Sequence, residues 1–365
     1  MRSIFFAIGI AALIGGGADA QQISPIPLKR MMVDRAFAGS DGVAADISGM
    51  ACLPEGAPRK CLLVNDQNSN AQFAAIQNDR MDVGDIMPLI GDEADDRTLG
   101  SPPEDICEGK PKFKDLDGEG VAYAAPYFYV VGSHGCGRKN GKFVLSSFIL
   151  ARVRVDRAGR PVDDAGRPLA RKDFAQAVET TYRVSDLLQR AGKAAKFFGR
   201  DLKSEKGLNI EGVAVLGDTI WFGLRAPVRK GRKAYLVGGA INDLFKPGNK
   251  RSKAEPEVVA VELDGRGIRD LAALPDKRLL VVAGAPEGPE VTFQLFVVDP
   301  AKETVAPVGP LPAVTEPGDT QAGKAEGVTV LDMTQDRAQI VVLFDGLPNG
   351  APHLANITIP PRKSR

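Results

Sequence analysis

Residues 208–225 read Leu208-Asn209-Ile210-Glu211-Gly212-Val213-Ala214-Val215-Leu216-Gly217-Asp218-Thr219-Ile220-Trp221-Phe222-Gly223-Leu224-Arg225. An acid–glycine pair leads into a short apolar run, Gly217-Asp218 supplies a tight turn, and a second apolar run follows. That is the pattern of a β-hairpin. Four other stretches repeat it. Ser48-Gly49 precedes Cys61 to Asp66, and Glu119-Gly120 precedes Tyr127 to His134. Arg269-Asp270 precedes Arg278 to Gly284, and Glu326-Gly327 precedes Gln339 to Asp345.

Equivalent positions 49, 120, 212, 270 and 327 are 71, 92, 58 and 57 residues apart. The two short intervals suit a four-stranded propeller blade with generous loops, since known blades repeat at roughly 40–50 residues. The long intervals require insertions, and Gly91 to Lys112 and Ala158 to Lys206 supply them. Within the second, Val184 to Phe198 predicts a short helix with Leu187, Leu188 and Ala191 on one face. Third strands are expected at 71–76, 142–155, 234–241, 291–299 and 353–359, and fourth strands at 83–90, 180–188, 257–263 and 304–311. The fifth unit has no fourth strand of its own. Residues near 27–36 are expected to provide it and close the ring, which removes exposed strand edges. The expectation is an all-β, five-bladed β-propeller, with six blades or a β-sandwich as alternatives. Apolar runs such as Leu279 to Val282 and Ile340 to Phe344 suit strands covered on both faces. A sandwich does not account for five copies of one hairpin.

Composition is that of a soluble globular chain, 44% hydrophobic and 25% charged over 365 residues. The net charge of +1 provides no field to recruit nucleic acid or an acidic membrane. Forty glycines and 26 prolines fit frequent turns. Arg2, the apolar centre Ile4 to Ile14 and Ala18-Asp19-Ala20 outline a signal peptide over residues 1–20, leaving 21–365 as one domain. The apolar run is shorter than the roughly 20 residues a bilayer-spanning helix needs. A periplasmic or secreted monomer is expected, and in that compartment cysteines pair. Four cysteines allow three connectivities. Hairpin geometry favours Cys52 with Cys61, and Cys107 with Cys136; no Cys-x2-Cys spacing supports a zinc site.

In a hairpin the start of the first strand lies beside the end of the second. Ser48, Glu119, Glu211, Arg269-Asp270 and Glu326 would therefore share one end of the ring with Asp66, His134, Arg225 and Asp345. Converging carboxylates raise one another's pKa unless something compensates. Three readings stay open. Glu119, Glu211 and Glu326 hold a metal such as Ca²⁺; or Arg225 and Arg269 compensate the acids through charge-assisted hydrogen bonds and, with His134 and Asp270, form a pocket for a small polar or anionic ligand; or each acid braces its own turn. With only His134 and His353 present, a multi-histidine zinc cage is excluded. Gly132-Ser133-His134-Gly135 is not the Gly-x-Ser-x-Gly nucleophile elbow. The basic clusters at 229–233, 250–253 and 362–365 lack interleaved aromatics and read as solvated loops. Trp221 reads as core.

Glu119-Gly120-Val121-Ala122 with Gly132-Ser133-His134, Glu211-Gly212-Val213-Ala214 with Gly223-Leu224-Arg225, Gly267 to Ala272, and Ala325-Glu326-Gly327 with Phe344-Asp345 resemble domain-of-unknown-function family 3616. The likeness covers residues 40 to 360. It implies a propeller distantly similar to esterase-like phytase propellers, with no established activity. Ala226 stands where the resemblance leads one to expect a second glycine. Functionally, the sequence points to an exported propeller that binds a small polar or anionic ligand or a protein partner at its channel mouth. The alternatives are a calcium-dependent phosphate-ester or carboxylic-ester hydrolase and a scaffold without ligand.

Overall fold

The computed structural model describes residues 24–39, 42–104, 106–137, 141–228, 233–286, 292–318 and 320–362. The expected signal peptide lies outside the described residues. Five antiparallel sheets form the blades. Blade 1 runs outward through Ile47–Cys52, Arg59–Asn65, Asn70–Gln77 and Arg80–Pro88. Blade 2 comprises Gly118–Ala124, Tyr127–Gly132, Leu150–Arg154 and Val178–Thr181. Blade 3 comprises Asn209–Leu216, Thr219–Ala226, Lys233–Ala240 and Glu257–Glu262. Blade 4 comprises Gly267–Ala273, Leu279–Gly284, Gln294–Asp299 and Thr304–Pro310. Blade 5 comprises Lys324–Thr334, Arg337–Asp345, His353–Thr358 and Lys29–Arg30.

Each inner strand contacts the inner strand of the next blade, and that of blade 5 contacts that of blade 1. Residues 50–52, 121–123, 213–215, 271–273 and 328–330 line one narrow axial channel. Three consecutive residues from every blade thus face the same space, which makes the architecture a five-bladed β-propeller. The second strands carry the core: Leu279–Gly284 is buried along its length, and Trp221 packs between blades 3 and 4. Lys29 pairs with Leu354 and Arg30 with His353, while Met32 and Val33 pair in parallel with Arg80 and Met81. One amino-terminal segment therefore stitches blade 5 to blade 1. The strand expected at 27–36 is divided into these two pieces.

Three elements differ from expectation. The fourth strand of blade 2, expected over 180–188, ends at Thr181, and Arg183–Leu188 is helical. Instead of one strand over 142–155, Lys142–Val144 pairs in parallel with Glu108–Lys112, a 3₁₀ turn follows, and the blade strand starts at Leu150. The helix expected over 184–198 is a single turn-and-a-half, Arg183–Leu188, with a 3₁₀ turn at Ala195–Phe197. Gly192, with φ 52°, separates them. Cys52 and Cys61 sit opposite each other in the blade 1 hairpin and are disulfide-bonded, Cα atoms 3.9 Å apart. Cys107 and Cys136 are bonded with Cα atoms 5.6 Å apart, and tether the first insertion to the loop after blade 2's second strand.

Candidate functional site

The acid–glycine signature is a β-bulge. In every blade the inner hairpin shifts register at the equivalent place: Ile47/Gly49, Gly118/Gly120, Ile210/Gly212, Ile268/Asp270 and Ala325/Gly327. The unpaired residues are Ser48, Glu119, Glu211, Arg269 and Glu326. A bulge leaves one residue outside the ladder and re-aims its side chain. Backbone crowding explains the following glycine. A Cβ on Gly49 would lie 2.8 Å from the Gly120 Cα, and one on Gly212 would lie 2.7 Å from the Leu271 nitrogen. Neighbouring blades touch through bare backbone at this level.

Blades 3, 4 and 5 meet in an ion-paired cluster. Glu211 is 1% exposed and accepts from Arg225 Nη1 at 2.9 Å. Its second oxygen lies 3.3 Å from Arg269 Nη2, which also pairs with Glu326. Arg269, 2% exposed, thus joins carboxylates from both neighbouring blades. Arg225 Nε donates in addition to the Pro286 carbonyl at 3.1 Å. Asp270 occupies the slot that glycine holds in the other blades. Its carboxylate accepts the Val328 N–H at 2.6 Å, linking blade 4 to blade 5. Burial pushes its pKa well above the usual carboxylate range, and the nearby Glu211 charge adds to the rise.

Arg225 and Arg269 are paired with Glu211 and Glu326, as charge compensation of the converging acids requires. Asp270 is fully buried, with one oxygen on the Val328 N–H and Oδ1 without a hydrogen-bond partner among the described residues. Glu211 and Glu326 are bridged by a guanidinium, and among the described residues no three histidine, cysteine or acidic side chains are placed to hold a metal together. The donor set does not fit the calcium ring.

His134 also departs from the expected pocket role. Strand pairing ends at Gly132, and His134 adopts φ 50°. Its ring is 0% exposed, shares a hydrogen bond between Nδ1 and the Gly132 carbonyl at 2.8 Å, and packs edge-on against Phe148. Burial lowers its pKa to about 4, so it is neutral at physiological pH. The left-handed turn separates it from Ser133, which faces the other way into a cavity.

That cavity, of about 270 Å³, opens on the blade 1–3 side of the mouth. Asp66, Asp115, Asp117, Glu119, Ser133 and Asn209 line it. The Ser133 carbonyl accepts the Ile210 N–H at 2.8 Å and its own N–H donates to Asp117 at 3.0 Å, so the wall is stitched across blades 2 and 3. Cys136 of the second disulfide forms another part of the wall. Asn209 is 4% exposed, and its Oδ1 has no hydrogen-bond partner among the described residues. Of the acids expected at the mouth, Glu119 lies in this cavity; Glu211 and Glu326 lie in the ion-paired cluster. At the seam between blades 5 and 1, Lys324 Nζ bonds Asp345 at 2.9 Å. Asp46 also meets Asp345 there, and its pKa is raised by burial first and by Asp345 second.

Asp46, Asp117 and Asn209 had no assigned role in the sequence. Asp117 was findable, two residues before Glu119 and just ahead of the strand that starts at Gly118. Asn209 was not, because a register shift between Asn209 and Ile210 sets its direction.

The model of the family described as "Protein of unknown function (DUF3616)" matches residues 64–353. No curated protein matches the chain. Among solved structures, it is similar to the α-L-arabinofuranosidase PaAbf62A of Podospora anserina, with 11% identity over 92% of this chain and 97% of that one and a TM-score of 0.43. An endo-arabinase of Bacteroides thetaiotaomicron gives 9% identity, 88% and 96% coverage and a TM-score of 0.38. The Dos1 propeller gives 7% identity, 91% and 63% coverage and a TM-score of 0.33.

Proposed function

The chain belongs to the DUF3616 family, and from that premise we propose that it is an exported, monomeric propeller that binds a small polar ligand at the channel mouth. One observation carries the reading. The ends of the inner hairpins of blades 1, 2 and 3 bring Asp66, Glu119 with Ser133, and the buried Asn209 to one cavity. Ligand sites are concave, with a few convergent polar groups that fix orientation. Export is supported by the two disulfides, which persist in oxidising compartments. Among the described residues no helix is long and apolar enough to cross a membrane.

The test is a thermal-shift screen of small polar compounds spanning cations, neutral polyols and anions, on wild type and Glu119→Gln. At least one class is expected to raise the wild-type midpoint, and Glu119→Gln is expected to lose that rise, measured against its own unliganded midpoint. Failure of every class to stabilise the wild type overturns the reading.

A further inference from the structure

A second cavity, of about 920 Å³, lies in the seam between blades 5 and 1. Gly56 and Ala57 of the blade 1 hairpin loop border it, which puts it at the opposite end of the ring from the bulges. In blade 5, Val341 and Leu343 belong to the buried core shared with blade 1. Alternation along the strand turns Gln339 to that same side. Asn356 is its direct cross-strand partner, as Leu354 is of Val341. Towards the cavity, then, the apolar side chains of this face give way to carboxamides. Gln77 and Asn78, where the two outer strands of blade 1 meet, add two more to the lining. All four side chains are exposed, and none has a hydrogen-bond partner among the described residues.

The charged groups of the lining are already engaged. Lys29 and Asp79 pair at 2.7 Å, Arg59 folds onto the carbonyls of Leu53 and Pro54, and Asp332 accepts the Met333 N–H at 2.9 Å. Two cations stand against two acids, so a charged ligand would lose hydration here without an opposing charge to compensate. A carboxamide offers two N–H donors and a carbonyl acceptor, which complements hydroxyl groups that both donate and accept. Buried Ile76 and Leu331 give the same lining apolar surface for C–H groups. We propose that this groove binds a neutral, hydroxyl-rich ligand, a polyol or a short saccharide, through Gln77, Asn78, Gln339 and Asn356. The site is separate from the mouth and does not depend on the reading given for it. Asp332, Gln339 and Asn356 are neighbours across three strands, spaced at roughly 4.8 Å from strand to strand, so an extended ligand meets polar groups at a regular interval. A peptide added as a strand would need a free sheet edge, whereas side chains of two sheet faces line this groove.

Maltotriose, xylotriose and mannotriose serve as neutral probes, with xylitol as the small polyol, trigalacturonate as the anion, chitosan trimer as the cation and tetraalanine as the peptide. Each is titrated calorimetrically into the full chain. At least one neutral probe is expected to bind at a single site, with the same affinity at low and high salt. Gln339→Ala and Asn356→Ala are each expected to weaken it about fivefold, the scale of one lost neutral hydrogen bond. Should either variant lower the melting midpoint, Gln77→Ala takes its place. Xylitol binding as tightly as the trisaccharides assigns the groove to a small polyol, and weaker binding of xylitol assigns it to a saccharide chain. Preference for trigalacturonate, chitosan trimer or tetraalanine overturns the neutral hydroxyl-rich assignment. A neutral probe whose binding survives the groove substitutions but is lost in Glu119→Gln sits at the mouth, which overturns the groove and leaves the mouth reading standing. Binding of no probe overturns the groove as well.

Discussion

At position 269 a guanidinium lies between glutamates contributed by the blades on either side, and at position 134 an imidazole is folded away from the same mouth. Both are polar residues at equivalent ends of a hairpin, yet their environments give them opposite roles. Arg269 keeps its charge because two carboxylates surround it. His134 loses its charge because burial outweighs the single carbonyl contact that favours the ring's proton. The histidine has a consequence for stability. Its pKa falls from 6.5 to about 4 on folding, so between those values the unfolded chain binds the proton and the folded chain does not. Stability is therefore full above about pH 6.5 and declines as pH drops towards 4, by roughly 3 kcal/mol from this group. The pKa of His353 is lowered as well, which adds to the decline. Urea unfolding from pH 7 to 4 is expected to show a steeper loss in wild type than in His134→Gln; equal slopes would remove His134 from the account.

Each inner strand carries a bulge, and the bulge explains why acid and glycine occur together. The acid is the residue set free from the ladder; at Gly49, Gly120 and Gly212 the glycine is the point where adjacent blades meet without a Cβ between them. Gly212→Ala is expected to cost about 2–4 kcal/mol, because the added carbon would meet the Leu271 nitrogen and Asp270 Cα, backbone atoms that cannot swing aside. Gly91→Ala, with nothing within 4 Å, serves as the control and should stay within about 0.5 kcal/mol of wild type. Denaturant titration of the pair checks this. The hairpins were legible in the sequence because every blade buries the same two apolar runs around one turn. The insertions were less so: the split of 142–155 depends on a parallel partner at 108–112 that local pattern does not encode. Side-chain direction at the mouth was also hidden, since alternation along a strand fails at a bulge. That is why Arg225 and Arg269 read as ligand groups when they are ion-paired to Glu211 and Glu326, and why Asn209 drew no role.

In the whole molecule, ring closure decides whether these local features meet. The segment holding Lys29–Arg30 and Met32–Val33 ties blade 5 to blade 1, and the five inner strands then share one channel. The bulge-level polar groups divide into an ion-paired cluster on blades 3 to 5 and a cavity on blades 1 to 3. The scaffold alternative describes the cluster well, since Glu211 and Glu326 brace the joints between blades. Convergence of separate blades on one charged cluster underlies both halves, and a double-mutant cycle measures it directly. Urea unfolding of Arg269→Gln, Glu326→Gln and the double variant is expected to give a coupling energy above about 1 kcal/mol, as for groups in one buried network. Additivity within about 0.5 kcal/mol, the behaviour of distant sites, would contradict the shared mouth.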